Sequence, residues 1–115
     1  MTDDLITWLR AQLDEDERVA RAARGERWEA DGDFIFGAES ADEIHFAGMP
    51  TVPGHAIQAY LLNNDPARVL REVEAKRRIL DNALFGMNSV TGEEICRLLA
   101  LPYADRPGYL EEWGS

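Results

Sequence analysis

Apolar side chains recur at helical spacing in the first quarter of the chain. Leu9 and Leu13 are four residues apart, and Ala20 follows seven residues later, which places all three on one face of an α-helix. Gly25 favours the end of this helix, because glycine readily adopts the left-handed conformation that closes many helices. The sequence therefore predicts a helix over residues 3–24.

The periodicity changes after this helix, and residues 27–47 are typical of short strands. Asp31-Gly32 lies between two segments that contain aromatic side chains, and this dipeptide is a signal for a two-residue hairpin turn. We therefore predict an antiparallel hairpin whose strands are residues 27–30 and 33–36.

The segments after the hairpin predict a strand, a loop and two helices. Residues 43–46 could add a third strand, whereas two prolines and two glycines in residues 48–54 predict a loop. Residues 55–85 are predicted to form two helices with a break at Asp65-Pro66. Asp is a common N-cap residue, and Pro fits the first helical position.

The last predicted helix covers residues 91–101. The segment Thr91-Gly92-Glu93-Glu94 has the spacing of a capping box at its start. Ile95, Leu98 and Leu99 are expected to face the core. A turn-rich tail with three aromatic residues follows this helix.

Together these elements predict a single small α+β domain over residues 1–115, mainly helical, with a short antiparallel β-hairpin or meander. No apolar run is long enough to span a membrane. The segment Met1-Thr2-Asp3-Asp4 lacks the basic and apolar regions of a secretory signal. A single cysteine cannot form an internal disulfide, so we expect a cytoplasmic protein.

The chain is strongly acidic. Its 12 Lys and Arg residues and 22 Asp and Glu residues give a net charge of −10, which disfavours direct contact with a nucleic-acid backbone. Residues 28–64 contain six acidic residues and no Lys or Arg. Two interpretations of this segment stay open: a compositional bias, or a surface that imitates nucleic acid.

Templates for catalytic and metal sites do not fit this sequence. His45, His55 and Cys96 lack the close paired spacing of a structural zinc site. Cys96 lies among apolar residues of a predicted helix, which favours a buried thiol over a nucleophile. We therefore predict no catalytic, cofactor-binding or metal-binding residue and no enzyme. One enzymatic function stays open as an alternative: a small hydrolase that uses Cys96 or a pair of carboxylates.

Two segments carry a resemblance to known proteins: residues 65–80 (DPARVLREVEAKRRIL) and residues 99–107 (LALPYADRP). They resemble the signature of a family of small uncharacterised proteins from actinobacteria and their phages. Residues 9–17 and 25–29 fit the same family. The resemblance implies an actinobacterial or actinophage origin and implies no activity.

Members of this family often carry additional Cys and His residues. The resemblance implies His-type residues just before Asp65 and a Cys cluster just before the last helix. This chain instead has Tyr60 and Asn64 in the first region and residues 88–91 (NSVT) in the second. If other members of the family bind a metal, the resemblance implies that packing takes the place of that metal in this chain.

We predict a non-enzymatic accessory protein that binds another protein and needs no cofactor, and its composition also allows a homodimer. The alternative is an acidic inhibitor that mimics nucleic acid and blocks a DNA-binding or defence protein of the host. Aromatic residues are enriched at interface hot spots, so the tail is a second candidate binding region. The candidate partner-binding residues are Glu29, Asp31, Asp33, Glu39, Asp42 and Glu43 in the acidic segment and Tyr103, Tyr109 and Trp113 in the tail.

Overall fold

The computed structural model describes residues 2–44, 55–86 and 89–114, with the side chains of residues 3–44, 55–83 and 90–114. These residues form four α-helices and one two-stranded antiparallel hairpin. The predicted α+β class is therefore confirmed.

The elements follow one another as the sequence pattern predicts, with differences at their ends. Two short 3₁₀ helices lie in the tail that was predicted to be turn-rich. The α-helices and strands are α1 (Thr2–Ala22), β1 (Trp28–Asp31), β2 (Phe34–Gly37), α2 (His55–Asn63), α3 (Pro66–Gly86) and α4 (Ser89–Ala100), and the 3₁₀ helices are Leu101–Tyr103 and Glu111–Gly114.

Contacts divide the chain into two compact units. The terminal unit consists of Met1–Asp16 together with Glu72–Ser115, and the central unit is Glu17–Arg71. The expected single domain stays a prediction.

The core of the terminal unit is formed by apolar side chains from three helices. The buried residues that α1 contributes to this unit are spaced by four positions, which matches one helix face. Leu9 and Leu13 are among them, as the sequence predicts. The helices contribute Leu5, Leu9 and Leu13 of α1, Val73, Leu80 and Ala83 of α3, and Cys96 and Ala100 of α4, and Tyr103 and Trp113 of the tail are also buried.

Helix α4 presents small residues to the interior. Gly92, Cys96 and Ala100 are four residues apart, and all three are buried. A Cβ atom added at Gly92 would lie 2.7 Å from the backbone oxygen of Ala83. Glycine is therefore needed here, because α3 and α4 approach too closely for a larger residue.

The start and the orientation of α4 each correct a prediction. The helix begins at Ser89, so Thr91 lies inside the first turn and is not the N-cap of a capping box. Leu98 is exposed, and the prediction that it faces the core is wrong. Ile95 and Leu99 are half-buried.

The hairpin of the central unit turns one residue later than predicted. Asp31 pairs with Phe34, so the two turn residues are Gly32 and Asp33. Gly32 has a φ of +62°, and a type II′ hairpin turn places glycine at this first position. The conformational freedom of Gly32 thus determines the register.

The predicted strand over residues 43–46 is described only at its start. Glu43 forms an isolated antiparallel bridge with Phe36 of β2. Residues 45 and 46 and the predicted loop over residues 48–54 lie outside the described residues.

A buried carboxylate fixes the start of α3 in the central unit. Asp65 Oδ1 accepts a hydrogen bond from the backbone N–H of Arg68 at 2.9 Å, which is the N-cap geometry predicted for Asp65-Pro66. Its Oδ2 accepts a second bond, from the backbone N–H of Trp28 at 3.0 Å. One side chain therefore caps a helix and holds the first residue of β1.

Glu26 is a second buried carboxylate of the central unit. Its Oε1 accepts hydrogen bonds from the backbone N–H groups of Glu39 and Ser40, at 3.1 and 3.0 Å. Bonding by the Ser40 N–H lowers the pKa of Glu26 below its ordinary value. A Cβ atom at Gly37 would overlap this carboxylate, so a larger residue here would displace the Glu26 side chain.

Candidate interaction surface

Three aromatic rings connect the tail to α1 within the terminal unit. The ring centroid of Trp8 lies 5.6 Å from that of Tyr109 and 5.4 Å from that of Trp113. Tyr109 and Trp113 pack edge to face at 5.6 Å, a favoured geometry for aromatic pairs. Trp8 Nε1 also donates a hydrogen bond to the carbonyl oxygen of Pro107 at 3.0 Å. The tail is therefore held against α1.

A polar network around Tyr103 provides a second attachment of the tail. The buried Tyr103 hydroxyl donates to Asp16 Oδ2 at 2.8 Å and accepts from Lys76 Nζ at 3.1 Å. Arg106 donates to Asp16 Oδ1 at 2.6 Å, and its guanidinium lies 4.6 Å from the Tyr103 ring centroid. Burial, and then the bond to Asp16, raise the pKa of Tyr103 above its ordinary value.

The leucine surface, defined as Leu98, Leu101 and Leu110, lies on the outside of the same region. These side chains are 58%, 52% and 43% exposed. Leu98 lies in the last turn of α4, Leu101 begins the first 3₁₀ helix three residues later, and Leu110 precedes the second 3₁₀ helix. A shallow groove of about 660 Å³ begins at Leu101, and its lining residues are Leu101, Ala104, Tyr109, Glu111, Glu112 and Gly114.

Comparison with protein families identifies the chain. A family model matches residues 2–115, which is almost the whole sequence. The chain belongs to DUF6221, a family of unknown function. No curated protein and no solved structure matches it. The predicted membership in a family of uncharacterised proteins is thus confirmed at this level.

The segments that carry the resemblance supply the network around Tyr103 in this DUF6221 member. Residues 9–17 contribute Asp16, residues 65–80 contribute Lys76, and residues 99–107 contribute Tyr103 and Arg106. Three separate stretches of sequence therefore meet at one buried phenol.

The aromatic residues that were predicted as binding candidates belong to the contacts that attach the tail to α1. Tyr103 and Trp113 are buried, and Tyr109 is half-buried. Their role in binding a partner stays a prediction. The exposed residues beside them, Leu101 and Leu110, were not predicted as site residues.

The six predicted acidic residues lie in two parts of the central unit. Glu29 and Asp31 are two residues apart on β1, and therefore share one face of the hairpin. Arg27 donates to Glu29 at 2.8 Å, and Arg24 pairs with Asp42. The binding role of these acids and the nucleic-acid mimic stay predictions. Asp33 lies in the hairpin turn, and Glu39, Asp42 and Glu43 follow β2.

Cys96 is fully buried in α4. Burial, and then the nearby charge of Glu93, raise the pKa of its thiol, whereas a nucleophilic cysteine needs a lowered pKa.

Within the described residues, no group of three or more His, Cys, Asp or Glu side chains is placed to hold a metal ion. His45 lies outside those residues. None of the described helices combines the length and apolar character needed to cross a bilayer.

Proposed function

We propose that this DUF6221 member is a non-enzymatic accessory protein that binds another protein through the leucine surface. The observation that carries the proposal is the exposure of Leu98, Leu101 and Leu110, of which Leu101 also lines a shallow groove. In this proposal it acts in the cytoplasm of an actinobacterium or in cells infected by an actinophage.

The packing of α4 supports this proposal. An amphipathic helix ordinarily turns its large apolar residues inward. Here Gly92, Cys96 and Ala100 are inside, and Leu98 is outside. Grouped exposed apolar residues with a polar rim are typical of a protein-binding surface.

The polar groups of the terminal unit support a binding role over a catalytic one. The hydroxyl of Tyr103 and the carboxylate of Asp16 are engaged in bonds within the unit. Burial keeps the Cys96 thiol protonated at neutral pH, because it raises the pKa of that group. Neither arrangement prepares a nucleophile or a general base for a substrate.

Affinity capture from an actinobacterial lysate tests the proposal when it is combined with surface variants. The double variant Leu98→Ser/Leu101→Ser removes two of the exposed leucines. The matched control is Ile79→Ser on α3, because Ile79 is 45% exposed in the same unit. Exposed substitutions of this kind change stability by less than about 0.5 kcal/mol, so all three proteins should fold.

We expect wild type and the Ile79→Ser control to capture the same partner, identified by mass spectrometry, and the double variant to lose it. Retention of every captured protein by the double variant would show that the leucine surface is not the binding site. Circular dichroism of each variant confirms that a loss of capture does not reflect unfolding.

A further inference from the structure

We propose that the segment that binds the leucine surface is a basic amphipathic helix of another protein. This inference rests on the proposed function and specifies the chemistry of the partner. It follows from the charges around the three leucines and from the type of element that presents them.

Acidic residues flank the leucine surface on both sides. Glu94 is exposed and precedes Leu98 by four residues within α4, so these two side chains share one helix face. Glu111 and Glu112 line the groove that begins at Leu101. The apolar stripe therefore lies between carboxylates.

The basic residues of this region are engaged within the terminal unit. Residues 89–114 contain only Arg97 and Arg106 as Lys or Arg. Arg97 donates to Glu93 at 3.3 Å, and Arg106 donates to Asp16 at 2.6 Å. Cations that complement Glu94 and Glu111 are therefore expected on a partner, and such complementarity favours Lys and Arg on it.

The secondary structure favours a helical partner. Both described strands belong to the central unit, so the described part of the terminal unit offers no sheet edge to which an extended peptide could add. The alternative mode of peptide recognition places the apolar face of an amphipathic helix in a groove, with anchors three and four residues apart. An anionic membrane is disfavoured as the occupant, because the acidic rim would be repelled by its surface potential.

Two model peptides test the charge and the helical character together. Both have about 18 residues, a length at which an isolated helix can form, and both carry the same leucine stripe. The polar positions are Lys in one peptide and Glu in the other. Binding to the ¹⁵N-labelled full chain is measured by chemical-shift titration, and the helicity of the bound peptide by circular dichroism.

We expect saturable shifts at Leu98, Leu101 and Glu111 with the Lys peptide, and at least about tenfold weaker binding of the Glu peptide, because like charges across an interface are costly. The variant Glu94→Lys/Glu111→Lys should weaken the Lys peptide by a similar factor. The matched control, Asp31→Lys/Glu39→Lys, makes the same change of net charge in the central unit and should leave the affinity within about twofold.

Three outcomes of the peptide titrations would overturn the inference. The first is equal affinity of the wild-type chain for both peptides. The second is an equal loss of affinity for the Lys peptide in the two charge variants. The third is the absence of chemical-shift changes at the leucine surface with either peptide. If the double leucine variant still loses its partner in the capture experiment, the proposed function stands and only the partner chemistry is wrong. If that variant retains every captured protein, the proposed function itself fails. Binding of the wild-type chain to phosphatidylglycerol vesicles as tightly as to the Lys peptide would also overturn the inference.

Discussion

The two units of the chain bury polar groups in different ways. In the terminal unit, the buried Tyr103 hydroxyl bonds to two charged side chains, Asp16 and Lys76. In the central unit, the buried carboxylates of Glu26 and Asp65 accept bonds from backbone N–H groups. Side chains thus bond to one another in the first unit, whereas in the second they bond to the backbone of other segments.

The described contacts that attach the tail do not involve the exposed leucines. Aromatic rings and the network of Tyr103 attach the tail to α1, and Leu101 and Leu110 are not among these residues. Those leucines remain exposed. The central unit exposes acidic residues of its hairpin, including Asp31, and also apolar residues such as Ile57 and Tyr60.

The largest expected effect in this comparison comes from Trp113. Replacement of this buried ring by Ala should lower the free energy of unfolding by about 3–5 kcal/mol, because a large cavity forms beside Trp8 and Tyr109. Urea unfolding followed by circular dichroism measures the change. The control Leu110→Ala, at an exposed position of the same tail, should cost less than about 0.5 kcal/mol. A small effect of both substitutions would contradict the attachment of the tail by its aromatic rings.

A buried carboxylate of the central unit should give the next largest effect. Asp65→Ala removes the N-cap of α3 and leaves the Trp28 N–H without its acceptor, which should cost about 2 kcal/mol. Asp65→Asn retains an acceptor oxygen and should cost less. Hydrogen exchange at the Trp28 and Arg68 amides should rise in the Ala variant. Unchanged exchange at both amides would refute the double role of Asp65.

Local signals in the sequence predicted those features that depend on neighbouring residues. Asp65-Pro66 predicts the start of α3 because capping depends on a side chain and the next three residues. The orientation of α4 was not predicted, since this helix carries one stripe of small residues and one of leucines, and periodicity alone does not say which faces inward. The four-residue spacing of Gly92, Cys96 and Ala100 was the signal that could have identified the buried side.

The candidate site was predicted only in part for a related reason. The tail was recognised from its aromatic residues, but Tyr103 and Trp113 are buried, and the exposed leucines were missed. The bonds of Tyr103 join residues that are 27 and 87 positions apart. Such pairs arise only from tertiary packing and leave no local signal in a single sequence.

The network of Tyr103 gives the terminal unit a distinct response to high pH. Because its pKa is raised above 10 in the folded protein, the folded state retains the phenol proton after the unfolded state has lost it. Its contribution to stability is complete below pH 10 and is lost as the pH rises above that value. Tyr103→Phe should cost about 1–2 kcal/mol at neutral pH, since Asp16 and Lys76 lose a partner. The variant should also show a weaker decline above pH 10. Urea unfolding on either side of pH 10 measures both, and an equal decline in the two proteins would contradict the assignment.

Glu26 should give the central unit the opposite response, at low pH. Its pKa is lowered from 4.5 by hydrogen bonds from the backbone at Ser40 and Glu39, so its contribution is complete above pH 4.5 and is lost as the pH falls through the folded-state pKa. Hydrogen exchange at the Glu39 and Ser40 amides should therefore increase on acidification of the wild type, after correction for the intrinsic exchange rate. In Glu26→Gln this pH dependence should disappear, because the amide does not titrate. The variant Glu39→Gln changes an exposed carboxylate and should retain the wild-type pH dependence. If Glu26→Gln and wild type respond identically to acid, the loop after β2 is held by contacts other than this carboxylate.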